Sequence, residues 1–178
     1  MGPTPPGVTV RRLVPGDEAA LLFIRARALE HAPAAFSSGS GDDRFETPGF
    51  AGALLADRAN GVFGAFSDSI IGMVGLHPSG HRKTAHALDL WGLFVEPEYR
   101  CAGVARSLVT YAIEFARSAA SVSYVRLAVT DAAPEAVALY RSLGFIECGY
   151  EPDALRLDGV GIGETSMRLA LESAARRC

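Results

Sequence analysis

The sequence predicts a single α/β (α+β) layer fold, and three observations predict it. Short apolar stretches and helical patterns follow one another in the order β-α-α-β-β-β-α-β-α-β-β, which indicates one mixed layer rather than a bundle or a sandwich. Val104–Ala119 places Ala105, Leu108, Val109, Ala112, Ile113 and Ala116 on one face, as a helix packed on a core does. The chain has 178 residues, 49% of them hydrophobic and 21% charged, an ordinary globular composition. A chain of this length buries about 70% of its unfolded surface and needs no disulfide or metal staple.

Residues 1–7, rich in Pro and Gly, read as a loose tail before a half-buried strand at Val8–Leu13. Asp17 follows Pro15-Gly16 and is placed to cap a helix that repeats Ala20, Leu21, Ile24, Ala28 and Leu29 at helical spacing. His31–Gly49 reads as a mobile loop, and Phe50–Arg58 as a second, short helix. Gly61–Phe66 and Ile70–His77, separated by Ser67-Asp68-Ser69, predict a hairpin, with Leu88–Val95 as the next strand. After the Val104–Ala119 helix come a strand, Val125–Val129, and a helix, Glu135–Leu143, closed by Gly144. Two final strands are expected at Phe145–Tyr150 and Thr165–Leu171, with the Gly159–Gly163 cluster as a hairpin turn. The domain is therefore expected over residues 8–173, with a short tail at 174–178.

Composition narrows the partners. No apolar run approaches the roughly 18 to 20 residues that cross a bilayer, and MGPTPPGVTVRR lacks the apolar core of a secretory signal. No membrane partner and a cytoplasmic address are expected. Cys101, Cys148 and Cys178 are odd in number and form no C-x-x-C pair, so free thiols are expected. A formal charge of −3, with Lys83 the one lysine, offers no basic field for nucleic acid. His77, His81 and His86 lie four and five residues apart with no cysteine or acidic pair nearby, which suits solvated loop histidines better than a metal site.

The chemistry concentrates in Leu93-Phe94-Val95-Glu96-Pro97-Glu98-Tyr99-Arg100-Cys101-Ala102-Gly103-Val104-Ala105-Arg106, a strand, a Pro-marked turn and a glycine-containing helix entry. The first N–H groups of a helix have no partner within it and stand at the positive end of its dipole, so together they can donate to a phosphate. Gly103 and the small Ala105 permit close approach of the backbone, and Arg100 and Arg106 flank the turn with positive charge. Neither a G-x-x-x-x-G-K-[ST] loop nor a dinucleotide glycine fingerprint is present.

V-x-P-x-Y-R-x-x-G-x-A, followed about thirty residues later by Ala136-Val-Ala-Leu139-Tyr140-Arg-Ser-Leu-Gly144-Phe145, resembles the coenzyme A motifs of the GNAT superfamily of N-acetyltransferases. The element order from about Val8 to Leu171 is similar to that family's as well. The resemblance implies a mixed, mostly antiparallel sheet flanked by about four helices, in which two central parallel strands, Leu88–Val95 and Val125–Val129, splay apart to admit pantetheine. Substrate enters from the opposite side. It further implies that the turn Arg100, Cys101, Ala102, Gly103, Val104, Ala105 and Arg106 holds the diphosphate of acetyl-CoA. Main-chain groups of Leu93, Phe94 and Val95 would pair with pantetheine, an amide near Phe94 polarising the thioester carbonyl.

Tyr140 stands where family members often keep the tyrosine that protonates the departing thiolate, and Asp89 where many relatives keep a strand-borne base. By the period-2 rule Asp89, Trp91, Leu93 and Val95 share a face. Asp89 as a strand-end carboxylate bonded to a loop or Arg, and Tyr140 as a packing residue, are the plain alternatives. The motif's usual asparagine is replaced by Ala133, with Thr130 or Asp131 as possible substitutes. No metal is implied. The implied activity is acetyl transfer to a primary amine of a small molecule, with a protein N-terminus or lysine, or a non-catalytic acyl-CoA sensor, as alternatives; a homodimer is compatible with the family.

Overall fold

The computed structural model describes residues 4–171; Met1–Pro3, the 174–178 tail and Cys178 with it lie outside the described residues. Its elements are β1 (Thr9–Arg12), α1 (Glu18–His31), α2 (Phe50–Ala56), β2 (Gly61–Phe66), β3 (Ile70–Pro78), β4 (Ala87–Val95), α3 (Val104–Ser118), β5 (Tyr124–Thr130), α4 (Pro134–Ser142), β6 (Ile146–Leu157) and β7 (Val160–Ala170). They form one seven-stranded sheet in the order β1-β2-β3-β4-β5-β7-β6. Every neighbouring pair is antiparallel except β4 and β5. The expected element order and mixed α/β class are those observed.

Boundaries differ most at the end of the chain. The last two strands are much longer than the expected Phe145–Tyr150 and Thr165–Leu171, because Asp158 and Gly159, both left-handed (φ 50° and 80°), make a two-residue turn whose twist suits a long hairpin. The turn thus lies at Asp158-Gly159, and Gly161 and Gly163 belong to β7.

Each face of the sheet carries its own core. Val104, Leu108, Val109, Ala112, Ile113 and Ala116 of α3 pack with Leu88, Leu90, Val125, Leu127, Val129, Met167 and Tyr140 on one side. On the other, Leu21, Ile24 and Ala28 of α1 and Ala51 and Leu55 of α2 cover Val62, Ile70, Met73 and Phe94. The helical periodicity of α3 was legible because all its buried residues are apolar or small, whereas α1 buries Arg25 in its stripe and exposes Leu22 and Phe23.

Two local expectations change here. Asp17 sits at the start of α1 without capping it, because its carboxylate is taken by Arg11, at 2.7 and 2.8 Å, and by the Val14 N–H. The Arg11 guanidinium holds that carboxyl below its ordinary pKa. The segment after α1 is anchored rather than mobile. Buried Arg25 donates to Asp43 at 2.7 Å and to Ser38 at 2.6 Å, and lies 4.9 and 5.5 Å from the Phe36 and Phe45 rings. Removing one partner would leave an uncompensated buried charge, so Arg25→Ala is expected to destabilise the fold by about 3 kcal/mol. Urea unfolding should show a smaller loss for Arg25→Met combined with Asp43→Ala than for either single change.

Candidate active site

The site begins with an irregularity in β4. The β3–β4 register slips between Met73 and Gly75, and Gly92 takes φ 68°, a left-handed conformation that costs glycine little. The extra residue resets the alternation of side chains. Leu88 and Leu90 point into the α3 core and Trp91 into the α1 core; past the bulge Leu93 and Val95 return to the α3 side and Phe94 to the α1 side. Asp89, Trp91, Leu93 and Val95 therefore do not share one face: Asp89 and Trp91 are aligned with Phe94. The Trp91 indole lies against Gly75, which leaves no room for a Cβ.

The same alternation sorts the peptide groups. The Glu96 N–H donates to Ile71 O at 2.9 Å and Phe94 O lies over Gly72, so Phe94 and Glu96 direct their peptide groups toward β3. Leu93 and Val95 direct theirs away, toward β5. The Phe94 N–H and C=O, expected to face pantetheine, are turned to β3, and its ring is buried against His31 with the centroids 6.5 Å apart.

Parallel pairing of β4 with β5 is confined to Ala87 with Tyr124, Leu88 with Val125 and Asp89 with Arg126. Beyond that point the strands part. A cleft opens between Leu90–Leu93 and Ala128–Thr130, with Ala133, Ala136 and Tyr140 of the α4 region on one side and Ala35 and Phe36 on the other. Its walls are mostly apolar, which favours an alkyl chain; unpaired main-chain groups along the parted strands supply hydrogen bonds.

At the end of β4 the chain turns through Pro97–Tyr99 into α3. Cys101 (φ 60°) and Gly103 (φ 88°) are both left-handed, and Gly103 immediately precedes the helix. The main-chain N–H groups of residues 101 to 106 have no hydrogen-bond acceptor among the described residues, whereas the Ser107 N–H closes the first turn on Gly103 O. Successive free donors in such a turn form a concave anion seat at the positive end of a 15-residue helix. The residues fit a diphosphate.

The flanking arginines have defined partners. Arg100 Nε donates to Val95 O at 3.0 Å and its guanidinium carbon stands 5.7 Å from the Phe94 ring centroid, so this side chain braces the turn. Arg106 is exposed and donates to Ser142 Oγ at 2.8 Å, linking α3 to α4. Cys101 and Cys148 are free and exposed.

Tyr140, on α4, is 4% exposed, with Phe145 edge-on at 5.5 Å. Its hydroxyl borders the cleft and has no hydrogen-bond partner among the described residues. Burial pushes the phenol well above its ordinary pKa. Asp89 is half-buried and gives both carboxylate oxygens to Arg126, at 2.9 and 3.0 Å. Of the two candidate substitutes for the missing asparagine, Asp131 accepts from Tyr150 Oη at 2.8 Å, while Thr130 lines the cleft and its buried hydroxyl has no partner.

Sequence reasoning missed two features. Glu96, 7% exposed, is held by Arg27 of α1 at 2.9 and 3.2 Å, fixing α1 to the turn that leads into the anion seat. The residues are 69 apart in sequence, and no local pattern announces the pair. Thr130, one of the two substitutes expected from the sequence, closes β5, and only the fold shows that its buried hydroxyl has no partner. Among the described residues no group of three or more His, Cys, Asp and Glu side chains is placed to hold a metal ion, and no helix is long and apolar enough to cross a membrane.

Known proteins share this fold. The model of the acetyltransferase (GNAT) family matches residues 25–145, from α1 through α4. N-acetyltransferase 8 from Homo sapiens is 35% identical over 99 residues, which are 54% of this chain and 43% of that protein. The chain spans less than half the length of the curated relatives it matches. A GNAT-family acetyltransferase from Streptococcus pneumoniae superposes with a TM-score of 0.80 at 24% identity, covering 92% of this chain and 99% of that one. The yncA protein of Salmonella typhimurium, solved with its cofactor acetyl-CoA, gives a TM-score of 0.79 at 20% identity, covering 96% and 99%. The family match takes in the bulged strand, the anion seat and the helix of Tyr140, and this chain belongs to the acetyltransferase (GNAT) family.

Proposed function

We propose that a single domain over residues 8–173 transfers an acetyl group from acetyl-CoA to a primary amine of a small molecule by direct attack, in the cytoplasm. The observation that carries this reading is the coincidence of three features around one cleft: parted parallel strands, a run of unpaired amides at residues 101 to 106, and the unbonded Tyr140 hydroxyl.

The thioester supplies an activated acetyl group. The amides of Cys101 to Arg106 bind its diphosphate, and Leu93 together with the Val95 N–H offers pantetheine the peptide groups that β5 does not reach. A Leu93 N–H aimed at the thioester oxygen would stabilise the charge that develops there, an effect worth about 3 to 4 kcal/mol by analogy with oxyanion holes. Tyr140, kept protonated by burial, donates its proton to the leaving thiolate. Asp89, or a water that it orients, removes the proton from the attacking amine. Arg126 holds both carboxylate oxygens, which fixes the orientation of Asp89 and leaves their remaining lone pairs to accept from an ordered water. All of these residues belong to one chain, so catalysis in this form does not require the homodimer.

Release of free thiol from acetyl-CoA across a panel of amines tests the reading, and silence across the whole panel would refute it. Asp89→Asn is expected to lower kcat/KM at neutral pH, with the defect shrinking as pH rises toward the pKa of the amine, where the acceptor arrives already deprotonated. Full activity of that variant at neutral pH would remove Asp89 from the role.

A further inference from the structure

The cofactor features, the α3 anion seat and Tyr140, lie on the sheet face covered by α3 and α4, so the acceptor approaches from the other face. That face carries an unusual row. Leu127 and Val129 of β5 and Met167 of β7 point into the α3 core, so alternation turns Thr130 and Glu164 the opposite way. Thr130 stands directly opposite Glu164, and Glu164 directly opposite Glu151 of β6, giving Thr130-Glu164-Glu151 across three adjacent strands.

Two carboxylates directly opposite each other on paired strands repel, and neither is paired with a cation among the described residues. The arginines of the same face are engaged elsewhere, Arg126 by Asp89 and Arg168 over the Tyr124 ring at 5.6 Å. Glu164 is half-buried, and burial together with the charge of Glu151 raises its pKa. The row ends in Thr130, which lines the cleft, is 2% exposed and carries a buried hydroxyl without a partner. Uncompensated negative charge leading to an unsatisfied hydroxyl at the cleft calls for a ligand with cationic and hydrogen-donating groups.

We propose that Glu151 and Glu164 select an acceptor that carries a second ammonium group, which they bind while Thr130 accepts a hydrogen bond from the ligand nearer the cleft. The inference rests on the acetyl-transfer reading above and specifies its substrate class.

Steady-state kinetics with pentane-1,5-diamine, pentylamine and 6-aminohexanoate separate the two. The chain is expected to favour the diamine over pentylamine by about tenfold or more in kcat/KM, chiefly through KM, and to disfavour 6-aminohexanoate. In Glu151→Gln combined with Glu164→Gln the diamine-to-pentylamine ratio should fall toward one. The exposed Glu151→Gln alone should reduce it in the same direction, should the double variant fold poorly. Equal use of diamine and pentylamine by the unaltered chain, or a ratio untouched by these substitutions, would overturn this proposal while leaving acetyl transfer standing. Turnover of no amine at all would overturn both.

Discussion

Tyr140→Phe is expected to lower kcat by about 100- to 1,000-fold while leaving the KM for acetyl-CoA nearly unchanged. The phenol is buried against Phe145 and its hydroxyl makes no bond among the described residues, so removing that oxygen breaks no contact that holds the fold. What disappears is a proton aimed into the cleft. The pH dependence has a defined sign: burial raises the phenol's pKa, so the group stays protonated through the neutral range and well past pH 10, and no alkaline loss of activity below about pH 10 should come from its ionisation. The same shift favours the folded state below the ordinary tyrosine pKa, and that contribution is lost as pH rises through the raised value. A variant with unchanged kcat across pH would reduce Tyr140 to a packing residue.

A comparable effect is expected on cofactor binding at Gly103. Asn and Asp are nearly isosteric, and both tolerate the left-handed conformation that Gly103 adopts at φ 88°. A Cβ there would have only Pro5 as a neighbour, at 3.9 Å, so neither substitution disturbs packing. Gly103→Asn should weaken acetyl-CoA modestly by crowding the seat. Gly103→Asp adds a carboxylate beside the diphosphate, and a like charge a few ångströms away in a partly desolvated turn should raise the KM for acetyl-CoA about 100-fold beyond the Asn variant, equivalent to about 2.7 kcal/mol. Added salt should narrow the difference. Equal KM values for the two variants would mean that the diphosphate lies elsewhere.

The parts of the site were not equally readable from sequence. The Gly103 turn and the α3 stripe are written within some fifteen consecutive residues, where helical period and motif spacing act together, and their element bounds were legible in advance. Tyr140 was legible for the same reason, since its helix and Gly144 are contiguous. The β4 bulge was not, because the slip at Gly92 is imposed by pairing with Met73–Gly75, and a period-2 reading of Asp89 to Val95 carries no sign of it. Asp89 was found as a residue, but its Arg126 partner comes from the parallel strand 37 residues on. Arg25 was hidden in an otherwise apolar helical stripe, and only the fold brings Asp43, Ser38 and two aromatic rings around it. The Thr130-Glu164-Glu151 row spans three strands joined by a helix and a long hairpin, so nothing local marks it.

The most direct measurement follows the backbone amides themselves. In ¹H–¹⁵N spectra of the protein titrated with coenzyme A, the N–H resonances of residues 101 to 106 should shift strongly and together as their protons gain phosphate oxygens as acceptors, with smaller changes along α1. Saturable binding of coenzyme A that left those six resonances in place would contradict the assignment of the diphosphate to this turn.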